Sequence, residues 1–227
     1  MGAKGLLILK LLMFQGLFIS HSQYADFDFF YLVLQWPGAY CDTNRSCCYP
    51  TSGKPAADFG IHGLWPYYVD GLYPSHCSPD SKFNQSQISD LVSSLKTKWP
   101  TLSCPSNEGF KLWEQEWKEH GTCSESVMNQ HDYFEKTLKL RDRVNLLQIL
   151  TNSGIKPDDG FYDLQSIKDA IKQEIGFTPG IECNKDPELN NQLHRIYLCV
   201  DTSGTEFIGC PALPKERCSS ILQFSKF

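Results

Sequence analysis

Six histidines are present, at 21, 62, 76, 120, 131 and 194, and two of them sit where proton chemistry is possible. His120 closes the stretch Trp113-Glu114-Gln115-Glu116-Trp117-Lys118-Glu119-His120-Gly121-Thr122-Cys123. On a helix, Glu116 and His120 share a face with their Cβ atoms about 5–6 Å apart. Gly121 follows directly, as a helix stop does. The imidazole is therefore expected at a helix C-terminus, where the macrodipole and a carboxylate favour its cation. That is an acid/base group working near neutral pH. The same pair is also common on solvated helix surfaces. Cys123 separates the two readings, because a bridged Cys123 would pin the helix end and hold His120 in place. His62 lies in Phe59-Gly60-Ile61-His62-Gly63-Leu64-Trp65-Pro66, where a loop with a Gly-Leu-Trp-Pro turn is expected. A loop histidine is often only a satisfied packing residue. Here it neighbours Trp65, Tyr67, Tyr68 and Tyr73, and aromatic faces stack on nucleobases at about 1–3 kcal/mol per base. Two imidazoles and one carboxylate, without metal-ligand spacing, suit in-line phosphoryl transfer. One imidazole takes the proton of a 2′-hydroxyl and the other protonates the leaving 5′-oxygen.

The elements that must position these groups follow from apolar spacing. Residues 27–36 are aromatic and β-branched, a buried strand. Residues 86–99 carry Ile88, Leu91, Val92 and Leu95 at helical spacing. Residues 110–120 make a short amphipathic helix, with Leu112, Trp113 and Trp117 on its apolar side. Two helices are expected over 131–151, broken near Arg143, and another over 163–175. Residues 192–201 alternate as a strand. Residues 41–82 are rich in turns and hold Cys41, Cys47, Cys48 and Cys77. There is no repeat, linker or βαβ rhythm. The expectation is an α+β fold, one domain over residues 24–227, with an antiparallel sheet packed against several helices and stapled by disulfides.

Composition narrows the function classes. With 21 lysines and arginines against 26 acids, the formal charge is −5. Proteins that hold nucleic acid by bulk charge are basic, so any such chemistry must use a local site. Ten scattered cysteines with no CxxC pair favour disulfides over zinc sites. Spacing alone leaves hundreds of pairings open. Lys4 and Lys10 flank and interrupt an apolar run that gives way to Ser20, His21 and Ser22, the pattern of a signal peptide over residues 1–23. The run is short for a membrane span. Asn44-Arg45-Ser46 and Asn84-Gln85-Ser86 are candidate glycosylation sequons, Asn44 and Asn84 being the acceptors. The chain stops at Ser225-Lys226-Phe227, without an endoplasmic-reticulum retention signal.

The segments Phe59–Pro66 and Glu116–Cys123 together resemble the two active-site stretches of the ribonuclease T2 family, with the plant S-like secreted members nearest. The resemblance extends over nearly the whole chain after the signal, through Asp26–Tyr31, Gln35-Trp36-Pro37-Gly38, Cys47-Cys48-Tyr49-Pro50, Phe177-Thr178-Pro179 and Leu198-Cys199-Val200-Asp201. It implies cleavage of single-stranded RNA through a 2′,3′-cyclic phosphate by a secreted or vacuolar monomer, with no cofactor and no metal. By position, it implies His62 as general acid, His120 as general base and Glu116 as stabiliser of the phosphorane. Trp65, Tyr67 and Tyr73 would line one base site; Gln35, Tyr40, Thr101, Leu102 and Leu112 would line the other. It also implies the bridges Cys41–Cys47, Cys48–Cys104, Cys77–Cys123, Cys183–Cys218 and Cys199–Cys210.

The chain departs from the family pattern at the phosphate contacts. The second stretch usually reads His-Glu-Trp-x-Lys-His-Gly-Thr-Cys; here Gln115 replaces the histidine and Glu119 the lysine. The asparagine of one base site becomes Tyr67, and the phenylalanine of the other becomes Leu112. Gln115 still donates a hydrogen bond. Glu119 puts an anion where negative charge gathers. At about 5 Å and an effective dielectric near 20, a unit charge is worth on the order of 3 kcal/mol. After screening, the reversal leaves about 2–4 kcal/mol, roughly 30- to 1000-fold in rate. Lys118 points about 100° away on a helix and does not compensate. Two readings follow: a secreted endoribonuclease, slowed at the phosphate, or a ribonuclease-fold protein without useful catalysis that serves storage, defence or RNA binding.

Overall fold

A computed structural model describes residues 26–227 except position 46. Residues 1–25, and with them the expected signal peptide, lie outside the described residues. Strand β1 (Phe29–Gln35) leads into a short helix, α1 (Pro37–Cys41), with Pro37 at its first turn, where a missing N–H does no harm. Strand β2 (Gly60–Tyr67) is followed by a 3-10 turn at Gln85–Ile88 and by helices α2 (Val92–Lys98) and α3 (Phe110–Glu119). A second 3-10 turn (Gly121–Ser124) precedes α4 (Gln130–Asp142) and α5 (Leu146–Asn152). The chain closes with β3 (Gly160–Asp163), α6 (Leu164–Ile175), β4 (Gly180–Lys185), β5 (Asn191–Val200) and β6 (Ile221–Phe224).

The six strands form one sheet in the order β2-β1-β5-β6-β3, with β4 also paired to β5. All pairings are antiparallel except the single β5–β6 contact at Gln192 and Gln223, which is parallel. Both faces of the central strands are covered, so β1 reads as an unbroken apolar run rather than an alternating one. Phe30, Leu32 and Leu34 face the main core under the helices, with Ile196, Leu198 and Val200. Phe29, Tyr31 and Val33 face a smaller cluster with Tyr197 and Cys199, against which Trp65 and Tyr67 pack. This second face carries the candidate site.

Several elements differ from the sequence expectation. The segment around His62 is a strand, not a loop: its backbone pairs along β1 from Gly60 to Tyr67. The helix expected over 86–99 is split. Asn84 Oδ1 accepts from the Ser86 N–H, and the Gln130 side chain ties both the N–H and C=O of Asn84. That holds 85–88 as a tight turn and delays α2 to Val92. The break near Arg143 separates α4 from α5. Five disulfides link Cys41–Cys47, Cys48–Cys104, Cys77–Cys123, Cys183–Cys218 and Cys199–Cys210. No helix among the described residues is long and apolar enough to cross a membrane.

Candidate active site

The strand side of the site is set by a β-bulge. Val33 pairs with Gly63 and Leu34 with Ile61, so His62 is the extra residue with no partner on β1. A bulge shifts the alternation of side chains by one. His62 therefore joins Trp65 and Tyr67 on the second face instead of pointing into the main core. Trp99 Nε1 donates to the His62 carbonyl at 3.2 Å and holds the bulge from below. Gly63 is required by its neighbours: a Cβ there would lie 2.1 Å from Trp65 Nε1 and 2.5 Å from Glu116 Oε2.

The helix side is set by burial of α3. Trp113 and Trp117 are buried, and their indole N–H groups donate to the carbonyls of Trp99 and Ser81. That rotation turns Glu116 and the residue after the helix, His120, toward β2. The helix end is fastened twice, by the Cys77–Cys123 bridge and by the His76 N–H, which donates to the Glu119 carbonyl at 3.0 Å. Gly121 is not the left-handed cap its position suggests. It continues into a 3-10 turn, and a Cβ on it would meet the Trp117 ring at 2.2 Å. Glycine is needed here for close approach rather than for backbone freedom.

Trp65 joins the two sides. Its Nε1 donates to Glu116 Oε2 at 2.9 Å. Its ring lies 4.9 Å from the His120 imidazole, nearly parallel, and 5.3 Å from that of His62, nearly perpendicular. One indole thus touches both imidazoles and the carboxyl. His120 Nδ1 is buried without a hydrogen-bond partner, and Nε2 lies 3.9 Å from Glu119 Oε1.

Burial dominates the electrostatics. His120 is pushed down to about 4 by desolvation and then by His76. The cation expected from the helix dipole and the acid therefore does not form in the free protein: loss of solvent outweighs both. His62 is pushed down to about 3 by desolvation, then by Arg195 and His194. Glu116 is pushed up to about 8 by desolvation and by Glu119, against the Trp65 hydrogen bond and Arg195.

Nine of the sequence-predicted residues line one open cavity of about 360 Å³: His62, Trp65, Tyr67, Tyr73, Leu112, Gln115, Glu116, Glu119 and His120. Tyr67 and Tyr73 stack at 5.2 Å, and Tyr73 is half exposed. The other four lie elsewhere. Gln35 and Leu102 line a neighbouring cleft of about 250 Å³. Thr101 is buried, its hydroxyl 2.8 Å from that of Ser103. Tyr40 lines a third cavity. Asn44 and Asn84 are exposed, the first on the rim of that third cavity. The sequence reading overlooks Gly63, Trp99 and Arg195; a glycine directly after a strand histidine was the available signal for the first. Among the described residues, the one grouping able to hold a cation is His131, Asp132 and Glu135 on α4, which shares no residue with this cavity.

A model described as the Ribonuclease T2 family matches residues 27–210. Ribonuclease 3 of Arabidopsis thaliana is 63% identical over 202 residues, 89% of this chain and 91% of that protein. Extracellular ribonuclease LE of Solanum lycopersicum is 57% identical over 203 residues, 89% and 88% of the two chains. The crystal structure of RNase NT in complex with 5′-AMP is similar at a TM-score of 0.86 and 50% identity, covering 89% of this chain and all of that one.

Proposed function

The chain belongs to the ribonuclease T2 family, and from that premise we propose that it is an endoribonuclease of single-stranded RNA. We infer that it acts as a monomer, exported or vacuolar, and proceeds through a 2′,3′-cyclic phosphate. The observation that carries this reading is the Trp65 indole in contact with His62, His120 and Glu116 inside one cavity. The relative from Solanum lycopersicum, named extracellular, supports the compartment.

His120, a free base above about pH 4, takes the proton of the 2′-hydroxyl as that oxygen attacks phosphorus. His62 gives a proton to the 5′-oxygen as the P–O bond breaks. In the free protein His62 is held low; the anionic phosphodiester raises it, so the acid is loaded together with substrate. Glu116, held up near 8, is a neutral carboxyl at lower pH. Its Oε2 accepts from Trp65, and its O–H is available to a phosphorane oxygen without adding a second anion. One proton is taken and one given, so these residues balance the step. Tyr73 presents a half-exposed ring to a base.

Glu119 favours the second reading, a ribonuclease-fold protein without useful catalysis that serves storage, defence or RNA binding, because its carboxylate shares the cavity with His120. One assay tests both: purified protein on polymeric RNA, with the fragment ends identified. Fragments ending in 2′,3′-cyclic phosphate, lost in His62→Ala and His120→Ala, support the endoribonuclease. No cleavage, or cleavage indifferent to both substitutions, overturns it.

A further inference from the structure

Strand register sets a row of polar side chains beside the strand wall of the site. Glu182 of β4 pairs with Arg195 of β5, Arg195 with Gln35 of β1, and Gln35 with Gly60 of β2. The neighbouring row on the same face is Tyr197, Val33 and Gly63. Directly opposed residues share a face, so Glu182, Arg195 and Gln35 point to the side that carries Trp65 and Tyr67. On β2 both rows end in a glycine, and the bulged His62 stands between the two. At those two positions β2 puts no side chain between the row and His62. Adjacent strands lie about 4.8 Å apart, so the Arg195 backbone is two spacings, about 10 Å, from the strand of His62.

The row holds a fixed pair of opposite charges. Arg195 Nε donates to Gln35 Oε1 at 3.2 Å, which leans the guanidinium toward β1 and the site. Its Nη1 donates to Glu182 Oε1 at 3.3 Å. Glu182 also accepts from Tyr197 Oη, and His194 Nδ1 lies 3.4 Å from its Oε1. Burial pushes Glu182 up, but His194, Arg195 and Tyr197 together bring it down to about 2, so it is an anion at working pH. Tyr197 packs on Trp65 with ring centres 6.1 Å apart. The carboxylate therefore also braces the indole that touches both imidazoles. The other titratable groups around His62 are Glu116, Glu119 and His120 on the helix wall, His194 on β5, and Tyr67 and Tyr73 in the cavity. After desolvation, Arg195 and His194 disfavour the His62 cation and Glu182 favours it. His120 answers to desolvation and His76 instead.

We propose that Glu182 and Arg195 are positioning residues for the reaction, an ion pair across β4 and β5 that adjusts when His62 carries its proton. Neither lines the active cavity. They act by charge across Gln35, and on Trp65 through Tyr197. Arg195 works against the imidazolium and Glu182 for it, and a bound phosphodiester adds a second anion to the Glu182 side. The pair thus leaves His62 neutral in the free protein and lets it load when the substrate arrives. This rests on the endoribonuclease reading for its reaction, and deepens it.

The test titrates the His62 ring by NMR in the free protein and follows kcat/KM on a dinucleoside phosphate across the pH range. At about 10 Å, with partial screening, one unit charge changes a neighbour's proton affinity about ten-fold. Arg195→Gln should raise the proton affinity of His62 by that factor and leave the His120 titration in place. Its kcat/KM should rise about ten-fold on the alkaline side, because that constant reports free-enzyme groups. Glu182→Gln should lower kcat/KM there by about as much. The double variant removes both charges and should return to within about three-fold of the parent, a non-additive result. Arg195→Lys keeps the charge without the fork and should keep the parent profile. The proposal is overturned if His62 does not move in Arg195→Gln, if both single variants lower kcat/KM, or if the double variant is as slow as the slower single one. A parent that cleaves no RNA, but whose His62 moves in Arg195→Gln, keeps the ion pair's role and loses the endoribonuclease reading.

Discussion

The two walls of the active cavity hold their histidines by different means. His120 is presented by α3, whose position follows from the spacing of Trp113, Glu116 and Trp117 and from a bridge at its end. His62 is presented by β2, where only a one-residue slip in pairing turns the side chain to the correct face. Both imidazoles lose their charge to burial, but their neighbours differ: His76 acts on the helix side, Arg195 and His194 on the strand side. The helix wall is built from local periodicity. The strand wall is built from partners 25 and more residues away in sequence, and its histidine answers to Arg195 and His194 on a further strand.

The sharpest way to break this comparison is to remove each histidine separately. General acid/base groups contribute about 10²–10⁴-fold each, so His62→Ala and His120→Ala should both fall in that range on RNA. A substrate with a good leaving group, such as a nitrophenyl ester of a nucleoside 3′-phosphate, needs no acid. It should restore His62→Ala to within about ten-fold of the parent and leave His120→Ala inactive. Equal rescue of both would mean the roles are not divided between the walls.

The pH profile comes next. In the free protein His62 sits near 3 and His120 near 4, and the proposed mechanism needs the first protonated and the second free. Because kcat/KM reports free-enzyme groups, it should fall by about ten-fold per pH unit above pH 4. The profile of kcat should extend to higher pH, since bound phosphodiester raises His62. A kcat/KM plateau through pH 7 would contradict the burial argument on the strand wall, since His120 is a free base over that whole range. A smaller effect tests the seam between them. Gly63→Ala puts a methyl group on the Trp65–Glu116 hydrogen bond and should lower kcat by about 10- to 100-fold, the loss that misplacement of catalytic groups produces. Full activity would show that the indole does not bind the walls together. Glu119→Lys should raise turnover at least several-fold by returning a cation to the helix wall; no gain in an active protein would remove Glu119 as a brake.

What was legible in the sequence divides along the same line. The pairing of Glu116 with His120 is visible because four residues make about one helical turn. The α+β class is visible in the apolar run of 29–35 and the alternation of 192–201. The bulge is not, because it exists only in the register between β1 and β2. Strands β3, β4 and β6 are four to six residues long and partly exposed, too short to stand out from turns. Gln35 and Leu102 share one neighbouring cleft and Tyr40 lines another cavity, a placement that only the assembled chain shows. His120 was read with the wrong charge because spacing shows a helix end but not how much water the fold removes from it.

The Cys77–Cys123 bridge ties the base to the chain's redox surroundings. It closes a span of 46 residues, and such crosslinks typically contribute a few kcal/mol. Before that oxidation the end of α3 keeps one backbone hydrogen bond from the 76–77 segment and no covalent tie. A chain in which these two thiols have not joined therefore holds the His120 end of α3 to the 76–77 segment through the His76 N–H alone.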